Sequence, residues 1–346
     1  MALALLAQPV LVTGLKLQNR RQKLRKTVVY ATKPRLSVII VNYRQWKETA
    51  ALTRQILATS EACRQEVEVI IIDNHSPSHR VISRLRRLPG VSLRRWKRNR
   101  GFARAVNEGC RLSRGDWFLL LNPDMSLKPG FIKGVLEQAE QLQQRDPKTR
   151  IVGFQLHNSD GSLQLSSGSF PTLGGILTRL WKPRRLRKYL VPPTDHPTEV
   201  AWVTGCCLLI NRTCFKELGG LDEDYFLYYE DVDFCRRARA LGWKVRYDPG
   251  LQAIHHHPLH SRRVSTSLRL FTRHALLVYG WKHWPRWQFR LLSRIVQLEA
   301  WAKQGWNSIW GRNCTAKKFR ELQAITQTIS QKGPKKVLMR LNKLAD

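Results

Sequence analysis

Val67-Glu68-Val69-Ile70-Ile71-Ile72-Asp73-Asn74-His75-Ser76-Pro77 is an aliphatic run that stops abruptly on a carboxylate and a set of turn-forming residues. A short, unbroken, β-branched run reads as a strand buried on both faces, and the Asp-Asn-His-Ser-Pro that closes it is a dense turn signal. The same shape occurs on either side. Leu36-Ser37-Val38-Ile39-Ile40-Val41 comes before it and ends on Asn42, and Trp117-Phe118-Leu119-Leu120-Leu121 comes after it and ends in Asn122-Pro123-Asp124. Residues 91–96 suggest one more strand, and helical patterns fill 46–60 and 101–112. Strands alternating with helices at this spacing predict an α/β fold with a mostly parallel central sheet flanked by helices.

Further along, residues 129–144 read as a helix with Pro129 in its first turn, and 151–156 and 200–210 as strands. Between those strands lies a Gly/Pro/basic insertion, 159–198, expected to be a flexible or substrate-covering segment. Beyond His260 the pattern turns helical and rich in Trp and Arg. The chain therefore divides into a basic leader (1–34), an α/β domain (35–262) and a basic, Trp-rich helical C-terminal extension (263–346).

The 346 residues can bury a sizeable core, and 42% hydrophobic content is that of a folded protein. The seven cysteines form no Cys-x-x-Cys pair and most sit in apolar runs, which points to a reducing compartment without disulfides or a zinc site. The formal net charge is +35, with 18 basic against three acidic residues after His260. Such a balance favours polyanionic partners: nucleic acid, an anionic membrane face or phosphorylated substrates. Residues 1–14 are apolar but shorter than the roughly 20 residues a spanning helix needs. They also lack a basic region ahead of the apolar stretch. The expected location is cytoplasmic, peripheral on the inner face of the membrane.

Against this basic background, six of the 25 acidic residues fall between Asp222 and Asp233. Glu230, Asp231 and Asp233 suit the start of a helix, where negative charge is favoured. That leaves Asp222, Glu223 and Asp224 and the intervening aromatics to be explained. Carboxylates gathered in this way serve as metal ligands, as general bases or as partners of nearby cations. In parallel sheets functional groups collect just past the carboxyl ends of strands. Asp73 and Asp124, with Asn42, occupy such positions and point to a shared crevice.

Taken in order, these segments resemble glycosyltransferase family 2. The resemblance is carried by residues 37–43, by Asp73-Asn74-His75-Ser76, by Asn99-Arg100-Gly101-Phe102-Ala103-Arg104-Ala105-Val106-Asn107-Glu108-Gly109 and by Leu119 to Asp124. Gly205-Cys206-Cys207-Leu208-Leu209-Ile210 and the stretch from Gly219 to Arg237 resemble its rhamnosyltransferase-like branch. The likeness covers roughly 36–261. It implies a GT-A (Rossmann-like) fold and an inverting, metal-dependent transfer of a sugar from a UDP- or dTDP-sugar. The sugar would be a deoxysugar such as rhamnose, and the acceptor a glycan or lipid-linked molecule in cell-surface polysaccharide synthesis.

The resemblance also implies roles, residue by residue. Asp124 matches the last aspartate of the family's Asp-x-Asp motif, which holds Mg²⁺ or Mn²⁺ against the donor diphosphate. Here Asn122 stands at the first aspartate, leaving one charge fewer on the metal. Asp73 matches the position contacting the base or ribose; Asn42 and Asn74 flank it. Asn99, Gly101 and Asn107 match the loop and helix under the nucleotide. Asp231 aligns with the general base, with Glu230 beside it to orient the acceptor or to be the base itself. In His255-His256-His257-Pro258-Leu259-His260 one histidine completes the metal or diphosphate site, and the spacing from Asp248-Pro249 favours His255.

The extension carries Trp281, Trp284, Trp287, Trp301, Trp306 and Trp310 among basic residues. Trp and Arg at helical spacing suit a helix lying on an anionic membrane, and equally a helix packing its Trp face on the catalytic domain. A nucleic-acid-binding protein is the competing reading of the net charge, but the basic residues form no known binding module. An oxidoreductase lacks its Gly-x-Gly-x-x-Gly. The transferase reading stands, with no nucleic-acid partner.

Overall fold

The computed structural model describes residues 33–58, 66–179, 194–258 and 265–345. The basic leader up to residue 32, the basic cluster of 180–188 and His260 lie outside the described residues. From the N-terminal side come β1 (Leu36–Asn42), α1 (Trp46–Leu57), β2 (Val67–Asp73), a short α2 (Val81–Leu85), β3 (Val91–Arg95), α3 (Phe102–Leu112) and β4 (Trp117–Leu121). Every residue of β1, β2 and β4 is buried, as their aliphatic sequences require. β1 pairs in parallel with β2 on one side and β4 on the other, and β3 forms the parallel edge.

The chain continues through β5 (Met125–Leu127), α4 (Phe131–Arg145), β6 (Thr149–His157), β7 (Leu163–Gln164), β8 (Ser167–Gly168) and α5 (Leu173–Arg179). There follow β9 (Thr198–Glu199), β10 (Trp202–Val203), β11 (Cys207–Asn211), α6 (Arg212–Glu217), α7 (Glu230–Ala240) and β12 (Lys244–His255). The sheet runs β3-β2-β1-β4-β11-β6-β12-β5. β11 is antiparallel to both neighbours, β6 and β12 are parallel to each other, and β5 returns antiparallel along the end of β12. This is the expected α/β architecture, with a parallel half and a mixed half.

Two boundaries differ from expectation. The helix expected from Pro129 starts at Phe131, because Gly130 adopts a left-handed φ of 79° that a helix does not continue through. The strand expected over 200–210 is two strands. β10 pairs with β8 in a small separate sheet, and Thr204 to Cys206 turn the chain back into the main one.

Alternate residues of β1 face opposite cores. Val38 and Ile40 pack with α1 and α4 residues such as Leu52, Val135 and Leu136, while Ile39 and Val41 face α3 and the C-terminal helices. Those helices are α8 (Thr266–His283), α9 (Arg286–Ile309), α10 (Asn313–Lys332) and α11 (Leu338–Ala345). Leu270, Phe271, Leu277 and Val278 of α8 belong to one continuous cluster with Ile39, Ile70 and Phe118. Ser265 caps α8, its side chain accepting from Leu268 N at 3.2 Å. The first three tail tryptophans differ in burial. Trp284 packs against the core and donates its indole N–H to Pro171 O at 3.0 Å, whereas Trp281 and Trp287 are 45% and 63% exposed. Among the described residues no helix is long and apolar enough to cross a membrane.

Candidate active site

Parallel register brings the ends of the first strands together. Asn42 on β1 stands opposite Asp73 on β2 and donates to its Oδ1 at 2.9 Å and to Ser76 Oγ at 3.0 Å. The other end of the Asn42 amide accepts from Thr49 Oγ1 at 2.9 Å and from Gln45 N at 3.2 Å. Asn42 is thereby committed to shaping the crevice. Asp73 is fully buried, and its Oδ2 accepts from Arg95 Nε at 2.8 Å; Arg95 also reaches Ser76 O at 2.7 Å. Arg95 lies 22 residues from Asp73 in sequence, at the end of the neighbouring strand. Sequence reasoning missed it because its only signal is strand register.

A second polar cluster holds the loop before α3. Asn74 donates to Asn99 Oδ1 at 2.8 Å and to Gly101 O at 3.2 Å, and its own oxygen accepts from Arg100 N at 2.8 Å. Gly101 has a φ of 90°, and a Cβ there would lie 2.8 Å from Phe226 O. Phe102 N donates to that same oxygen at 2.7 Å. The close backbone approach that Gly101 permits is thus to Phe226, in the acidic segment. Asn107, further along α3, accepts from Leu221 N at 2.9 Å and donates to Leu221 O at 2.8 Å. Asn99, Gly101 and Asn107 together clamp the acidic segment against α3.

Asp124 and His255 are brought together by a ladder. β5 pairs Met125 with His255, and His256 N donates to Asp124 O at 3.0 Å. Both side chains are nearly buried, with His255 Nε2 3.5 Å from Asp124 Oδ1. Burial alone would raise the Asp124 carboxyl, but the His255 imidazole and the charge of His257 outweigh it and hold it below the ordinary carboxylate range. Burial disfavours a charged His255, yet the Cys206 thiol and the Asp124 carboxylate push its value upward. His256 turns away to Ser126 Oγ at 2.7 Å and Ser159 Oγ at 2.9 Å. Of the described histidines in the cluster, His255 is the one paired with Asp124.

These residues fit a divalent cation. Gln164 Nε2 lies 3.0 Å from His255 Nδ1, while Gln164 Oε1 is buried without a partner. Turning the amide over lets Oε1 accept from His255 Nδ1–H, with the amide nitrogen taking the unpartnered position. Nε2 then faces the Asp124 carboxylate with its lone pair, and a cation between the two acceptors removes their repulsion. Without the cation, a proton on Nε2 does the same. Among the described residues no cluster of three or more His, Cys, Asp and Glu could hold a metal. The protein would therefore supply two ligands and leave the rest to a bound ligand and water, as is usual for Mg²⁺.

Asp231 joins this pair through two consecutive residues. Gly205 N donates to Asp231 Oδ2 at 2.9 Å; the next residue, Cys206, accepts from Asn122 N through its carbonyl at 2.9 Å and approaches His255 through its thiol. A Cβ at Gly205 would sit 3.4 Å from Asp231 Cβ. Val232 N donates to Asp231 Oδ1 at 2.9 Å. Glu230 and Asp231 are both nearly buried at the start of α7. Immediately before them Tyr228 and Tyr229 have φ values of 72° and 67°. Two successive left-handed tyrosines are strained, and strain of this kind collects where surrounding structure must hold a functional group in place.

The rest of the acidic island is explained by the C-terminal helices. Lys282 at the end of α8 pairs with Asp222 and, at 2.7 Å, with Asp224. His283 Nε2 lies 2.7 Å from Asp233 Oδ1, and Arg237 Nε donates to Asp233 Oδ2 at 2.7 Å. Burial would raise the Asp233 carboxyl, but His283 and Arg237 together lower it. Glu223 pairs with Arg104 at 3.0 Å. Asp222, Glu223, Asp224 and Asp233 therefore fasten the segment that presents Glu230 and Asp231. Lys282 and His283 could not be found from sequence, since 58 residues separate Lys282 from Asp224 and 50 separate His283 from Asp233, and no periodicity links them.

The family described as Glycosyl transferase family 2 matches residues 37–219. An N-acetylglucosaminyl-diphospho-decaprenol L-rhamnosyltransferase of Mycobacterium tuberculosis (strain ATCC 25618 / H37Rv) is 31% identical over 287 residues, covering 74% of this chain and 89% of the relative. Rhamnosyltransferase WbbL of Escherichia coli (strain K12) is 27% identical over 151 residues, covering 44% of this chain and 56% of the relative. Among solved structures, GalNAc-T7 with UDP, GalNAc and Mn²⁺ superposes with a TM-score of 0.51 at 16% identity. The match covers 72% of this chain and about half of the longer GalNAc-T7 chain, 49%. It is a likeness of fold.

Proposed function

The chain belongs to glycosyl transferase family 2, and from that footing we propose that this glycosyltransferase moves a deoxysugar such as rhamnose, with inversion, from a UDP- or dTDP-sugar to a lipid-linked or glycan acceptor. The observation that carries this reading is the joining of Asp231 to the Asp124–His255 pair through Gly205 and Cys206. A base and a diphosphate-holding pair must lie in one crevice for direct displacement at a sugar carbon. The rhamnosyltransferase names of the two relatives support the sugar, and the diphospho-decaprenol acceptor of the mycobacterial one supports a lipid-linked acceptor in cell-surface polysaccharide synthesis.

In this reading Asp124 and His255 hold Mg²⁺ or Mn²⁺. When bound, the cation supplies positive charge that stabilises the departing nucleoside diphosphate. Asp73, held by Asn42 and Arg95, accepts from the base N–H or a ribose hydroxyl with its remaining lone pairs. The Asn74–Asn99 loop and Gly101 fix the wall beside the nucleotide. Asp231 takes the proton of the acceptor hydroxyl as the sugar carbon inverts, and Glu230 orients that acceptor. The acceptor's lipid places the enzyme at the cytoplasmic face of a membrane, held there by attraction of its +35 charge to anionic headgroups. Residues 35–262 form the catalytic unit in this reading, with 263–346 as its extension.

A thermal-shift panel of UDP, dTDP, GDP and CMP, each with and without Mn²⁺, tests the proposal. Stabilisation by one nucleoside diphosphate only when Mn²⁺ is present, lost in Asp124→Asn, is the expected result. Metal-independent binding that is unchanged in Asp124→Asn would overturn the metal role.

A further inference from the structure

α9 is apolar on two opposite sides. Phe289, Leu292, Val296 and Ala300 face inward and are buried against the neighbouring helices. Trp287, Leu291, Ile295, Leu298, Trp301, Trp306 and Ile309 face outward, and every one of them is exposed. The outward set advances mainly in steps of three and four, with exposed Ala302 and Gly305 filling the same side, so it forms one continuous stripe. Trp287, Leu298, Trp301, Trp306 and Ile309 are each more than 60% exposed. A 24-residue helix is about 36 Å long. An uncovered apolar surface of that length marks an interaction site.

We propose that the outward stripe of α9 is the surface that enters an anionic bilayer, with the helix lying flat in the headgroup region. The inference rests on the membrane-facing reading above and names the surface responsible. Three observations select a bilayer as the occupant. Exposed Arg286, Arg290 and Arg294 run along one margin of the stripe, where they meet lipid phosphates as the rings and aliphatic chains pass below. Among the described residues no helix can span, so attachment through them has to be lateral. A second copy of the chain fits worse. A two-fold interface sets the same patch against itself, which here brings like-charged arginines together between molecules of +35. Trp284 is packed inside, and the tryptophans that reach lipid are Trp287, Trp301 and Trp306.

Co-sedimentation of the full chain with vesicles of phosphatidylcholine alone, and of phosphatidylcholine mixed with phosphatidylglycerol, tests this against the double variant Leu298→Gln/Trp301→Gln. Both side chains are exposed, so the variant keeps its fold, and its nucleotide-dependent thermal shift serves as the check. The native chain is expected to pellet with the anionic vesicles, with a salt-resistant remainder, and the variant to bind at least about tenfold more weakly. A native chain that binds anionic vesicles and a variant that binds equally well would overturn the assignment of α9 while leaving membrane attachment standing. A native chain that pellets with neither vesicle type would remove the membrane reading and this inference with it. A native dimer in solution that the variant converts to monomer, without vesicle binding, would overturn the proposal in favour of a second copy.

Discussion

Asp231 is held by two backbone amides, from Gly205 and Val232, so its carboxylate is aimed before any acceptor arrives. Replacement by Asn keeps the shape and removes the carboxylate that the proposed mechanism uses as its base. Turnover of Asp231→Asn should fall by roughly 10²–10⁴-fold with donor binding retained, as measured by steady-state assay beside calorimetry with the nucleoside diphosphate. A larger loss in Glu230→Gln would exchange the two roles. Gly101 makes a purely structural prediction. Gly101→Ala would set a methyl 2.8 Å from Phe226 O at a φ of 90°, and urea unfolding should show a loss of about 1–3 kcal/mol. At this scale the sequence is readable where a polar residue interrupts an aliphatic run, as at Asp73 and Asp124. It is silent where a polar residue stands among apolar ones for a distant partner's sake. Gln164 and Cys206 reach His255 across 91 and 49 residues, and nothing local announces either.

Between elements, the joint of greatest consequence is the end of α8 with the acidic segment. Lys282 answers two carboxylates, and its removal leaves Asp222 and Asp224 close together with that cation gone. Lys282→Met should cost roughly 3 kcal/mol of stability, and Lys282→Arg should restore part of it, as followed by thermal unfolding. His274, in the middle of α8, is a different liability. It is fully buried, neither ring nitrogen has a partner, and burial pushes its value down to about 3. Its charged form is excluded from the fold, so its contribution is steady above the unfolded value near 6.5 and is lost as pH falls from there towards 3. Within that window the native chain should lose up to about 1.4 kcal/mol per pH unit through this group. His274→Leu should flatten the slope and raise stability at neutral pH, as read from urea midpoints across pH. Elements themselves were mostly legible, since β1, β2 and β4 announce themselves by composition. The strand expected over 200–210 failed because apolar content continues through a bend, and the bend exists to bring Gly205 to Asp231.

For the molecule as a whole, the proposed membrane attachment draws on positive charge and an apolar stripe together, and salt separates the two. With a lipid-linked acceptor in anionic vesicles, activity should fall as sodium chloride rises, whereas activity on a water-soluble acceptor analogue should change little. Initial rates on both acceptors across one salt series check this. The charge was legible from composition alone, but the exposed apolar stripe beside it was not, because that depends on which side of α9 faces inward. One feature of the core reaches further than stability. The apolar cluster on one side of the sheet passes without a break from Ile39 and Phe118 into Leu270, Phe319, Ile325 and Leu341. Helices that share one core with the sheet cannot be swapped like a cassette. Grafting the tail of a relative onto this sheet would ask many side chains to interlock afresh, so under the proposed membrane role where the enzyme works and what it works on would diverge together, by small steps.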